Sequence, residues 1–71
     1  MNAIAKMKAY GVEALAQRTG HHVSVLYRWI KAIESGDGIR DANKRKLIDA
    51  TAASEHAIVW ADFYHQPAAA A

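Results

Sequence analysis

The side chains with the most chemistry in this chain crowd into one stretch, EALAQRTGHHVSVLYRWI, from Glu13 to Ile30. It holds adjacent histidines, His21 and His22, then Ser24, Tyr27 and Arg28, with Lys31 just past its end. Paired histidines invite a metal reading, with His56 and His65 as further ligands. Adjacent residues on a turn point in different directions, however, and no carboxylate or cysteine spacing completes a coordination set. No metal or other cofactor is expected. Catalysis has no better footing. No Ser–His–Asp arrangement has local context, and the GDG run Gly36, Asp37, Gly38 lacks the Lys-Ser or Lys-Thr of a phosphate-binding loop. So small a body cannot enclose a desolvated cleft, and no enzyme is expected. What remains is polar recognition. Arg28 offers a planar fork of donors, Ser24 donates or accepts, and Tyr27 and Lys31 carry polar tips on long stems. Plainer uses exist: Arg28 solvated beside Glu34 or Asp37, and Tyr27 packed over Lys31.

Helices must position these groups. Ala3, Ile4 and Met7 fall at helical spacing in NAIAKMKAYG, and Gly11 stops that segment. A second helix, Val12 to Thr19, puts Val12, Leu15 and Ala16 on one face and ends at Gly20. A third runs from Val23 to about Ser35, with Leu26, Trp29, Ile30 and Ile33 at i, i+3, i+4, i+7, an amphipathic core stripe. The breaker ESGDGIR follows. A fourth helix is expected from Asp41, as N-cap, to about Ala53, turning Leu47, Ile48 and Thr51 inward. Residues 54–66 read two ways. Ser54 as N-cap and Glu55 in the first turn favour a short helix carrying Ile58, Ala61 and Phe63, whereas AIVW is a strand-favouring run. The helix is preferred. PAAAA, residues 67–71, is expected to be a disordered tail.

The chain of 71 residues makes one small domain, residues 1–66, and contains no cysteine, so neither disulfides nor zinc–thiolate sites can staple it. A fold this short buries only about 60% of its unfolded surface. Dimerisation is the common remaining source of buried area and is expected here. Lys6, Lys8 and Glu13 interrupt the N-terminal apolar run, so neither a signal peptide nor a membrane span is expected. A cytoplasmic protein is expected. The net charge is only +2, but Arg28, Lys31, Arg40, Lys44, Arg45 and Lys46 face just Glu34, Asp37 and Asp41 in the middle of the chain. Beyond Lys46 come Asp49, Glu55 and Asp62 and no Lys or Arg. A basic middle with an acidic end suits a domain showing one face to a polyanion.

Two short helices joined by a glycine turn form the unit that delivers its second helix to a DNA major groove. Ala16 supplies a small residue for the crossing, Gly20 the turn, and Leu26 and Trp29 the anchors. On these residues the chain resembles the helix-turn-helix of phage Cro and repressor proteins, whose pattern runs approximately A-L-A-x-x-x-G-V-S-x-x-x-V-S-R-W. Ala14, Leu15, Ala16, Gly20, Leu26, Arg28 and Trp29 fall on it without gaps. Downstream, Ile48, Asp49, Ala50 and Thr51 resemble the I-E-x-A-T helix ending of Cro-like and YdaS-like phage regulators. The likeness spans about residues 12–64, with the helix-turn-helix unit at about 12–31. Its departures are His21 and His22, where the family has an aliphatic and then a small polar residue.

The resemblance implies an all-α, lambda-repressor-like bundle of four to five short helices, binding operator DNA as a dimer in a bacterial host, as a bacteriophage or prophage repressor. Base contacts would come from Val23, Ser24, Tyr27 and Arg28. The Arg28 fork suits guanine O6 and N7, and Val23 suits a thymine methyl group. His22, Lys31, Lys44, Arg45 and Lys46 would hold phosphates and fix register. Ile58, Val59, Trp60 and Phe63 would make the dimer contact. Val23 and Val25 on or near the reading face, with the low net charge, motivate a competing expectation. In it the same fold inhibits a protein partner, as an anti-activator, anti-repressor or antitoxin. A structural subunit of a larger assembly is a third.

Overall fold

Asn2 opens the first helix: its side-chain oxygen accepts from the Ala5 amide at 2.9 Å, satisfying one of the orphan donors of the first turn. The computed structural model describes residues 2–64, which form five helices. These are α1 (Ala3–Tyr10), α2 (Val12–Thr19), α3 (Val23–Glu34), α4 (Asp41–Thr51) and α5 (Trp60–Tyr64). The fold is the expected small all-α bundle, with no strand among the described residues. The tail 67–71, with 65 and 66, lies outside them.

The inward faces match the apolar spacing. Ala3 and Met7 of α1, Leu15 and Ala16 of α2, Leu26, Trp29 and Ile30 of α3, and Leu47 of α4 are buried together with Ile58. Ile4, Val12, Ile33 and Ile48 pack at their margin. Gly11 joins α1 to α2 at φ 105°, a conformation closed to most side chains. Gly20 ends α2 at φ 78°, and the His21 amide returns to the Ala16 carbonyl at 3.0 Å. No atom lies within 4 Å of where a Gly20 Cβ would stand, so backbone conformation and not space requires glycine there.

Two helix starts differ from expectation. Arg40 occupies the N-cap of α4, and Asp41 is instead the first helical residue, favourable near the N-terminal dipole and 3.3 Å from Lys44. Ser54 caps no helix. Its hydroxyl donates to the Thr51 carbonyl at 2.9 Å and accepts from the His56 amide at 3.2 Å, which closes a turn. The chain then passes through Ala57, Ile58 and Val59 without regular structure and enters α5 only at Trp60. Asp62 starts that helix by reaching back to the Val59 amide at 2.8 Å.

Tertiary demand explains the delay. Thr51, fully buried, donates to the Leu47 carbonyl at 2.8 Å and accepts from the Ile58 amide at 2.9 Å. That bond seats Ile58 in the core and forbids a helix running through it. Thr51→Val keeps the shape but strands the Ile58 amide in an apolar interior. We expect a loss of about 1–3 kcal/mol, read as a lower urea midpoint with unchanged slope.

A second tie crosses the whole chain. Lys6 on α1 donates to the Ala57 carbonyl at 2.9 Å and to Asp62 at 2.8 Å. Burial pushes the Asp62 carboxyl up, but the Lys6 hydrogen bond, the Val59 amide and the Lys6 charge together outweigh it and hold the group below the usual carboxylate value. A carboxyl lowered by folding stabilises the native state above its unfolded value, near 3.8, and the gain fades as pH falls through the lower folded value. Melting temperatures from pH 6 to 2.5 should therefore show wild type above Asp62→Asn at the neutral end and converging with it below about pH 4.

Candidate nucleic-acid interface

On α3 the residues opposite the core form one exposed stripe: Ser24, Tyr27, Arg28 and Lys31. Their i, i+3, i+4, i+7 spacing follows from the core set Leu26, Trp29 and Ile30 lying on the other side. Arg28 and Lys31 make no hydrogen bond or ion pair among the described residues, and Arg28 pairs with neither Glu34 nor Asp37. Tyr27, 56% exposed, stands at the middle of the stripe. Val23 and Val25 do not share it. Both are half-buried and pack against the core, so the assignment of Val23 beside Ser24 and Arg28 as a base contact is not supported by its position.

The helix enters this stripe through the two histidines. His22 is the N-cap of α3, its Nδ1 accepting from the Ser24 amide at 3.2 Å and lying 3.0 Å from the Ser24 hydroxyl. His21 is half-buried, its ring edge-on to Trp29 at 5.1 Å. Its Nε2 lies 3.2 Å from Nζ of Lys46, which joins α4 to the turn. Of the expected scaffold residues, Ala16, Leu26 and Trp29 are buried and Gly20 is left-handed.

The three adjacent bases of α4 part company. Arg45 and Lys46 are exposed. Lys44 turns the other way, toward α5, and cannot serve as a phosphate contact in this arrangement. Its ammonium lies 3.0 Å from the Tyr64 hydroxyl, 3.3 Å from Asp41 and 4.5 Å from the centre of the Tyr64 ring, with Phe63 at 5.8 Å. The Tyr64 hydrogen bond, opposed by burial and helped by Asp41, raises its pKa above the ordinary lysine value, so it stays charged. Arg18, absent from the expected set, is exposed in the last turn of α2 and lines a shallow hollow of about 330 Å³ with Thr19, Lys46, Asp49 and Ala50. A base closing the helix before Gly20 was its only signal.

The expected dimer set also divides. Ile58 is 1% exposed and belongs to the core of the single chain, where Thr51 holds its amide, so it is no dimer contact. Phe63 is half-buried beside Lys44. Val59 and Trp60 remain on the surface, and Tyr64, 58% exposed, joins them. Among the described residues no three His, Cys, Asp or Glu side chains converge as for a metal, and no helix is long and apolar enough to cross a membrane. No family model, curated protein or solved structure matches this chain.

Proposed function

We propose that this chain is a sequence-specific DNA-binding regulator of the phage Cro type, acting as a homodimer on a pseudo-palindromic operator. The observation that carries the reading is the exposed stripe on α3, with the unpaired donors Arg28 and Lys31, set behind the left-handed Gly20 and anchored by Leu26 and Trp29. From Ser24 to Lys31 the stripe is roughly 10 Å long. The helix that carries it, roughly 10–12 Å across with its side chains, fits a major groove about 12 Å wide. Arg28 reads guanine, Ser24 and Tyr27 contact neighbouring positions, and Lys31, Arg45, Lys46 and Arg18 face phosphates. A second copy covers Val59, Trp60 and Tyr64 and sets two α3 helices about 34 Å apart, occluding a promoter.

Selection of bound duplexes from a random pool tests this directly, with enrichment of a two-fold symmetric motif expected. Affinity for the selected duplex should fall with salt at a log–log slope near 0.9 per phosphate neutralised. A flat salt response with no enriched motif would sink the proposal. The central, exposed Tyr27 supports one competing use of the same face, inhibition of a protein partner by apolar contact. Salt-insensitive binding to a protein would select it.

A further inference from the structure

We propose that His21 is a proton-responsive latch on Lys46 that strengthens polyanion binding as pH falls; the binding half of this inference rests on the DNA reading above. An ammonium carries donors only, so the 3.2 Å contact between Lys46 Nζ and His21 Nε2 requires a lone pair on that nitrogen. Only the neutral imidazole with its proton on Nδ1 can accept there. Trp29, 8% exposed, holds the ring edge-on at 5.1 Å and fixes its position.

The charge in contact with the ring is Lys46 of α4, which also lines a hollow with Asp49 and with Arg18 of α2, while α3 presents the uncharged Trp29. His22, next along the turn, has its Nδ1 occupied by Ser24. Among the described residues no carboxylate lies within 4.0 Å of His21. Histidine is the side chain that changes charge between about pH 5 and 8. Protonation turns the acceptor into a donor and sets two cations 3.2 Å apart with no anion between them. Lys46, at the surface, swings away. Two positive groups then flank the entrance to α3, and a phosphate within reach satisfies both. By linkage, a bound polyanion favours the proton as much as the proton favours the polyanion.

Trp29 reports the latch without DNA. In a Trp60→Phe background, emission should drop between pH 8 and 5 as the imidazolium quenches the indole, and His21→Gln should abolish the drop. At fixed ionic strength, affinity for a 20-base-pair duplex should rise about tenfold from pH 7.5 to 5.5, with the salt slope steeper by about 0.9. His21→Gln should lose most of that rise. Emission that is flat across this range, or unchanged by His21→Gln, overturns the latch. Emission that titrates while wild type and His21→Gln share one affinity profile overturns the coupling. A titrating emission with no duplex bound at any pH overturns the DNA reading and the coupling together, leaving the proton response standing.

Discussion

Ile58→Ala is expected to remove roughly 2–5 kcal/mol of folding stability. The residue is 1% exposed among Met7, Leu15, Leu26 and Leu47, and its amide is tied to Thr51, so the neighbours cannot collapse freely into the space left. A domain of this length holds only about 4–10 kcal/mol in all. The loss is therefore about half of the whole, and the variant should unfold at a much lower denaturant midpoint. The loss should be the same at two protein concentrations a hundredfold apart, because it arises within one chain. A loss that shrank on dilution would instead return Ile58 to an interface, and a wild-type denaturation midpoint would remove it from the core. Trp60→Ala serves as the contrast, since Trp60 is 38% exposed. It should cost the monomer less than Ile58→Ala does and should weaken self-association as well.

Arg28→Ala should cost about 1–3 kcal/mol of discrimination at one base pair of the selected operator. That corresponds to roughly five- to 150-fold in relative affinity. Folding stability should move by less than about 0.5 kcal/mol, because Arg28 is exposed and unpaired. Lys31→Ala should behave differently, weakening all duplexes alike and lowering the salt slope by about 1. Competition between the selected duplex and single-base variants separates these outcomes. An Arg28→Ala protein that kept the wild-type order of preference would show that α3 is not read through this residue.

The apolar spacing of α1 to α4 was legible because one stripe per helix faces one core and glycine marks the turns. Helix ends fell within one or two residues of expectation where Gly11, Gly20 and Thr19 set them. The segment after Thr51 was not legible. A run such as AIVW is compatible with helix, strand or neither, and the decision came from the Thr51 hydroxyl seven residues upstream of the amide it accepts. The basic triplet Lys44, Arg45, Lys46 reads as one surface in the sequence, but Lys44 turns toward α5. Successive helical residues diverge by about 100°, so three in a row cannot share a face. The same geometry moved Val23 and Val25 off the α3 stripe, which removes the feature that had argued most against a polar reading surface.

The Lys6 clamp on Ala57 and Asp62 has a kinetic consequence. It joins positions 56 residues apart, nearly the two ends of the described chain, and closing so long a loop carries an entropic cost that local contacts do not share. The packing of α2 with α3 and α4 is closer in sequence, so those helices are expected to assemble first, with the ring closing after the folding barrier. Interactions formed that late act mainly on the rate of unfolding. The ammonium of Lys6 should thus work as a brake: Lys6→Met is expected to speed the release of α5 from α1 far more than it slows folding.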